Sequence, residues 1–244
     1  MLFNPRNKMQ LSKTEDKAYG KLRENNLFLF GIKDLELILG VSKTKAYNII
    51  RALKKKKAIK KAGGFFVFAD ADEFAVGTRL VHPSYISFWS ALNYYGFSDQ
   101  LPKSIFLAST KYSKGIEKFK YVTLSKKRFF GYVLVNDIVI AEKEKAIIDS
   151  LLFPKYSGGI AEVIKSIKSA LSLLDIKKLV NYAVSVESKA VLRRMGYILD
   201  SLNYKSKDLE RIRKKIGKGY ELLDPSLSRK NNLNAKWLLD INTK

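Results

Sequence analysis

The stretch Ser42-Lys43-Thr44-Lys45-Ala46-Tyr47-Asn48-Ile49-Ile50-Arg51-Ala52-Leu53-Lys54-Lys55-Lys56-Lys57-Ala58-Ile59-Lys60-Lys61 holds nine Lys or Arg residues and no Asp or Glu. Its apolar residues keep a helical period. Ala46, Ile49, Ile50 and Leu53 share one face, and Lys43, Thr44, Tyr47, Asn48 and Arg51 share the other. Ser42 stands where an N-cap hydroxyl meets the free amides of a helix start. Gly40 before it suits a turn that needs positive φ, with Val41 as the turn's buried apolar residue. The helix is expected to end near Lys57.

The flanking residues complete a pattern. Ser12-Lys13-Thr14-Glu15 fits a capping box, in which hydroxyl and carboxylate each satisfy a free amide. It predicts a first helix to about Glu24, with Ala18 and Leu22 facing in and a stop at Asn25-Asn26. Phe28 to Phe30 reads as a short extended segment, and Ile32 to Leu39 as a second helix with Ile32, Leu35, Ile38 and Leu39 inward. Past the basic helix, Ala58 to Lys61 pairs with Phe65 to Phe68 across Ala62-Gly63-Gly64, whose glycines permit a hairpin turn. Helix, turn, helix and basic hairpin predict a winged helix-turn-helix over residues 1–70.

Composition points to the partner. The chain has 244 residues, 46 Lys+Arg against 23 Asp+Glu, and a formal charge of +23. Such an excess attracts polyanions without deciding the fold; nucleic acid fits better than an acidic protein or an anionic membrane. The 46% hydrophobic and 12% aromatic content supports real cores, against wholesale disorder. Having no cysteine, the chain can form no disulfide, thiol nucleophile or thiolate metal site. Met1 to Leu11 has no apolar core of signal-peptide length, and no run approaches the roughly 18 apolar residues of a membrane span. A cytoplasmic location is expected.

Double-stranded DNA is the expected partner of the basic helix. The helix N-terminus offers free amides and a positive dipole end to phosphate, and Ser42, Lys43, Thr44 and Lys45 lie there. Tyr47, Asn48 and Arg51 are long enough for base edges or backbone; Asn pairs bidentately with adenine and Arg with guanine. Lys55, with Lys54, Lys56 and Lys57, and Lys60 and Lys61 on the hairpin, would meet phosphates, which set position rather than sequence. A charge run alone more often marks a solvated face. The capped turn, apolar spacing and Gly-Gly hairpin shift the balance toward DNA.

Ala69-Asp70-Ala71-Asp72-Glu73 breaks the basic trend, and residues 71–79 read as a linker. Beyond it, residues 80–244 read as a second domain: a small mixed sheet within 80–152 and a helical bundle over 153–244. Ser84 to Tyr95 reads as an aromatic-rich helix. Ile105 to Ala108, Tyr121 to Leu124, Val133 to Val135 and Ile138 to Ala141 read as strands. Helices are expected at Glu142 to Leu152, Gly159 to Leu174, Ile176 to Ser185, Ser188 to Leu202 and Asp208 to Ile216. The fold class is α+β.

This region carries a family likeness. Leu80-Val81-His82-Pro83-Ser84-Tyr85-Ile86-Ser87, Ala91-Leu92-Asn93-Tyr94-Tyr95-Gly96, Leu101-Pro102 and Ala108-Ser109-Thr110 resemble the AbiEi antitoxin family. So do Ala141-Glu142 with Glu144-Lys145-Ala146-Ile147-Ile148-Asp149, Phe153-Pro154-Lys155-Tyr156, Leu223-Asp224-Pro225 and Lys236-Trp237. Each motif is mostly apolar and turn residues; their shared order carries the resemblance, which spans nearly the whole chain. It implies a transcriptional repressor of an abortive-infection toxin–antitoxin operon, bound to inverted repeats upstream of its own genes. It also implies antitoxin action, credited to the second region, against a nucleotidyltransferase-like toxin without a stable complex.

Candidate chemistry is sparse. His82 is the only histidine, and with no cysteine beside it no zinc site is expected. Glu142, Glu144 and Asp149 form the best acidic cluster, but Glu142-Lys143-Glu144-Lys145 lacks the Asp/Glu-x-Lys spacing of metal-dependent nucleases; ion pairs or a helix cap explain it better. There is no phosphate-binding Gly-rich loop and no Gly-Ser with paired aspartates, the nucleotidyltransferase signature. No catalytic residue, metal or cofactor is expected. A second basic stretch, Lys103, Lys111, Lys114, Lys118, Lys120, Lys126, Lys127 and Arg128, extends the nucleic-acid footprint or is solvated surface. Arg193, Arg194, Arg211, Arg213, Lys214 and Lys215 read as helical and solvated, with phosphate or toxin-linked contacts as the alternative. Two alternatives stand beside the repressor: a nucleic-acid-processing enzyme built on residues 80–244, and a ligand-responsive regulator with no toxin.

Overall fold

The computed structural model describes residues 10–204 and 206–243; the expectation for Met1 to Met9 lies outside them. The chain forms two compact units, Met1–Leu80 and Val81–Lys244.

In the first unit, α1 (Lys13–Glu24) opens on the capping box read from sequence: the Ser12 hydroxyl accepts from the Glu15 amide and the Glu15 carboxylate accepts from the Ser12 amide. Helix α2 (Ile32–Leu39) stops at Gly40, which is left-handed at φ 61° and ψ 41°. Helix α3 (Lys43–Lys55) follows after two residues, with Ser42 as its cap. Strands β1 (Ile59–Ala62) and β2 (Phe65–Phe68) pair antiparallel across Gly63-Gly64, with Ala62 opposite Phe65. Phe30 adds a bridge to Phe66. The core gathers Ala18, Tyr19 and Leu22 of α1, Leu35 of α2 and Ala46, Ile49, Ile50 and Leu53 of α3. Each large aliphatic side chain buried there contributes about 1.5–3 kcal/mol.

The expected linker is different in kind. Glu73–Leu80 is helix α4, with Ala75, Val76, Gly77 and Thr78 buried. Asp72 accepts from the Ala75 amide at 3.0 Å, so the acid that looks like linker composition serves a helix start, where negative charge is favoured.

The second unit is built on a five-stranded sheet of order β5-β4-β3-β7-β6. Its strands are β3 (Ser84–Ile86), β4 (Ile105–Ser109), β5 (Phe119–Thr123), β6 (Tyr132–Val135) and β7 (Ile138–Ala141). Strand β3 runs antiparallel to β4 and parallel to β7; β4 and β5 are parallel, and β6 and β7 antiparallel. The sheet is therefore mixed. Ser84 to Tyr95 is not one helix. Its first three residues are the central strand, and α5 covers Phe88–Tyr94. Ser84, Tyr85 and Ile86 are all buried, so they lack the half-exposed alternation by which a strand is read.

Helix α6 (Lys143–Leu152) packs against α5, α7 (Ile160–Ala170), α8 (Ile176–Ser185) and α9 (Lys189–Ser201), and α10 (Lys207–Arg213) joins α8 and α9. The region after 153 is not wholly helical. Strands β8 (Glu221–Leu222), β9 (Leu233–Asn234) and β10 (Leu239–Asp240) form a three-stranded sheet of order β8-β10-β9. Strands of two residues show no periodicity. The Asp240 carboxylate secures this piece by accepting from the amides of Lys230, Asn231 and Asn232.

Arg193 and Arg194 are not solvated. Both are buried, with guanidinium groups donating to carbonyls: Arg193 to Ile216 and Lys218, Arg194 to Leu151, Leu222 and Leu223. The planar fork of five donors matches such clustered acceptors. Among the described residues, no helix is long and apolar enough to cross a membrane.

Candidate nucleic-acid interface

Helix α3 exists because its two faces differ. Ala46, Ile49, Ile50 and Leu53 are buried, while Ser42, Lys43, Thr44, Lys45, Tyr47, Asn48, Arg51 and Lys55 are exposed. The Ser42 hydroxyl accepts from the Lys45 amide at 3.4 Å, and the first turn holds no acid. The helix closes at Lys57, left-handed at φ 57°, with the Ala58 amide donating to Leu53 at 2.9 Å. Strand β1 then shows Lys60 and Lys61 to solvent between buried Ile59 and Ala62. All ten side chains selected from sequence are therefore exposed, eight on or capping α3 and two on the hairpin.

Not every cation of the stretch is free. Lys56 pairs with Glu15 at 2.6 Å and Lys60 with Glu73 at 3.9 Å. The Lys56 hydrogen bond is the main reason that the Glu15 carboxyl lies below its ordinary 4.5. Lys43, Lys45, Arg51, Lys54, Lys55, Lys57 and Lys61 make no ion pair with a described residue. Beside them stand two exposed aromatics, Tyr47 on α3 and Phe65 on β2.

Two cations of α1 were not selected from sequence. A cleft of about 420 Å³ lies between the first turns of α1 and α3, bounded by Lys13, Lys17, Gly40, Val41, Lys45 and Ile49. The signal was present: lysines four apart share a helix face.

In the second unit, the acidic cluster diverges. Glu142 accepts from Lys178 at 2.8 Å and also from the Tyr182 hydroxyl. Burial opposes its charge, but these two donors hold its carboxyl below the ordinary 4.5. Tyr182, by burial and by that same bond, is raised to about 12. Glu144 accepts from the Asp175 amide at 2.9 Å. Asp149 is fully buried, bound to Lys145, to the Tyr85 hydroxyl at 3.0 Å and to the Ser87 hydroxyl at 2.7 Å. Glu142 and Glu144 thus share the Lys178 ammonium, at 2.8 and 3.7 Å, while Asp149 serves a separate buried cluster. His82 is exposed.

The two units and their mixed sheets define an α+β protein. Among solved structures it is similar to the crystal structure of the RV2827C protein from Mycobacterium tuberculosis, with a TM-score of 0.67 and 12% identity, over 95% of this chain and 92% of that one. At this identity the likeness is one of fold. No family model matches the chain, and no curated protein does.

Proposed function

We propose that this chain is a sequence-specific DNA-binding repressor that regulates its own operon, and the antitoxin of an AbiEi-type toxin–antitoxin pair. In this reading the first unit is a winged helix-turn-helix. Helix α3 enters the major groove by its N-terminal half, and the β1–β2 hairpin is the wing. Asn48 and Arg51 are the residues suited to base edges; Lys43, Lys45, Lys55 and Lys61 hold phosphates.

The observation that carries this reading is the polarity of α3. One face is buried in the core, and the other shows a capped, acid-free N-terminus with free cations, an amide side chain and an aromatic. A merely solvated charged helix usually intersperses acids with its lysines, which pair four residues apart. The antitoxin part rests separately on the order of motifs from Leu80 to Trp237, and the partner it names is a nucleotidyltransferase-like toxin.

A gel shift tests the first part. The duplex upstream of the chain's own gene should shift at concentrations where an unrelated duplex of equal length does not. Equal affinity for both would overturn sequence-specific repression. Co-expression tests the second part: the chain should restore growth to cells expressing the neighbouring nucleotidyltransferase-like protein. No rescue by a full, folded chain would overturn it.

A further inference from the structure

The second unit holds a pocket that the DNA reading of α3 does not use. It lies between α5 and the β4–β5 side of the sheet, has a volume of about 350 Å³, and is bounded by Trp89, Leu101, Pro102, Lys103, Phe106 and Lys120. That volume falls within the roughly 300–1,000 Å³ of small-ligand sites.

Its walls are fixed by the fold. The parallel register of β4 and β5 sets Phe106 opposite Lys120, and the Lys120 ammonium lies 5.7 Å from the Phe106 ring centroid. The Trp89 indole N–H donates to the Ser98 hydroxyl at 3.0 Å, and that hydroxyl donates to Glu162 at 2.5 Å. Gly158 crowds the indole from another side; a Cβ there would sit 3.0 Å from the ring. Asn93 ties down the loop before Leu101 by donating to the carbonyls of Ser98 and Gln100. The indole is thus held in place while remaining partly exposed.

We propose that this pocket binds a nucleotide unit, an aromatic base joined to a phosphate. The apolar wall of Trp89, Pro102 and Phe106 takes the base, since ring stacking accepts every base. Lys103 and Lys120, both exposed and without an ion pair to a described residue, take the phosphate as point charges. An uncharged aromatic ligand would leave these lysines unused, and a bare phosphate would leave the apolar wall exposed. The unit is either a free nucleotide or one residue of a single strand.

Trp89 reports on occupancy, because the other tryptophan, Trp237, is buried. Adenosine monophosphate should quench the emission saturably. Adenosine and ribose 5-phosphate, each lacking half of the ligand, should bind at least about tenfold more weakly. The surface double variant Lys103→Ala/Lys120→Ala should bind about tenfold more weakly with an unchanged circular dichroism spectrum, and Lys103→Arg/Lys120→Arg should recover binding. Trp89→Phe should lose the signal. A hexa-adenylate that binds well beyond the mononucleotide supports a single-strand source; equal affinity supports a free nucleotide. Lys43→Ala/Arg51→Ala should leave the quench unchanged, so failure here is distinguishable from failure of the α3 reading. No saturable quench by adenosine monophosphate or hexa-adenylate, full affinity in the Lys103→Ala/Lys120→Ala variant, or ribose 5-phosphate binding as tightly as the nucleotide would overturn the proposal.

Discussion

The Lys56 ammonium at the end of α3 stands 2.6 Å from the Glu15 carboxylate in the first turn of α1. One acid thus closes the capping box of α1 and anchors the basic helix. Folding lowers the Glu15 pKa below its ordinary 4.5, chiefly through the Lys56 hydrogen bond. A lowered carboxyl stabilises the fold above its unfolded pKa, and that contribution is lost as pH falls through the folded value. Glu15→Gln should therefore cost up to about 1 kcal/mol at pH 7, the range for a partly exposed pair. The gap to the wild type should close below pH 4.5 as both carboxyl states become neutral. Urea denaturation at pH 7 and pH 3 measures it; a gap that persists unchanged at pH 3 would show that charge is not the cause.

The buried Lys145–Asp149 pair should behave differently. Both side chains are wholly enclosed and share Tyr85 as a hydrogen-bond partner. Removing one charge strands the other, at a cost of about 3–5 kcal/mol, whereas replacing both by apolar residues of similar size is often nearly neutral. Asp149→Leu alone should lower the denaturation midpoint strongly, and Lys145→Met/Asp149→Leu should recover most of the loss. A double variant as weak as the single would point to a role beyond mutual neutralisation.

Gly196→Ala should disrupt the packing of Trp237. A Cβ on Gly196 would lie 2.1 Å from the indole of Trp237, and such overpacking costs typically about 1–3 kcal/mol. Thermal unfolding followed by tryptophan emission should show a lower midpoint and a changed native spectrum. An unaltered midpoint would mean that the indole moves freely.

Lys57 offers a trade. Its left-handed φ of 57° at the end of α3 costs a non-glycine residue roughly 1 kcal/mol. Lys57→Gly should therefore stabilise the first unit slightly while weakening duplex binding by the loss of one cation. Denaturation and binding assays on the same variant should move in opposite directions; a loss of stability would contradict the local strain.

The legible parts of the chain were those with local signals. Ser12-x-x-Glu15, Gly40, Ser42 and the Gly63-Gly64 turn each mark an element by their own chemistry, and α1 to α3 with the hairpin lie where they predict. The exposure of the eight candidate residues on or capping α3 was legible for the same reason, since a regular period separates the faces of that helix. What was hidden depends on tertiary context. Strand β3 is buried along its length and so resembles a helical segment. Arg193 and Arg194 look solvated until the carbonyls of distant residues surround them. The pocket of Trp89 and Lys120 joins residues that only the β4–β5 pairing and the α5 packing bring together.

The direct test of DNA recognition by α3 is anisotropy of a labelled operator duplex at several salt concentrations, for the wild type and for Lys43→Ala/Arg51→Ala/Lys61→Ala. These three cations are exposed and make no ion pair with a described residue, so the variant should fold normally. Wild-type affinity should fall by roughly 10³ or more between 50 mM and 200 mM salt, as for about six phosphate contacts. The variant should bind at least about tenfold more weakly, with a salt slope shallower by about two units for the two phosphate-holding lysines it loses. Equal affinity and equal slope in the two proteins would contradict α3 and the β1–β2 hairpin as the proposed surface that meets DNA.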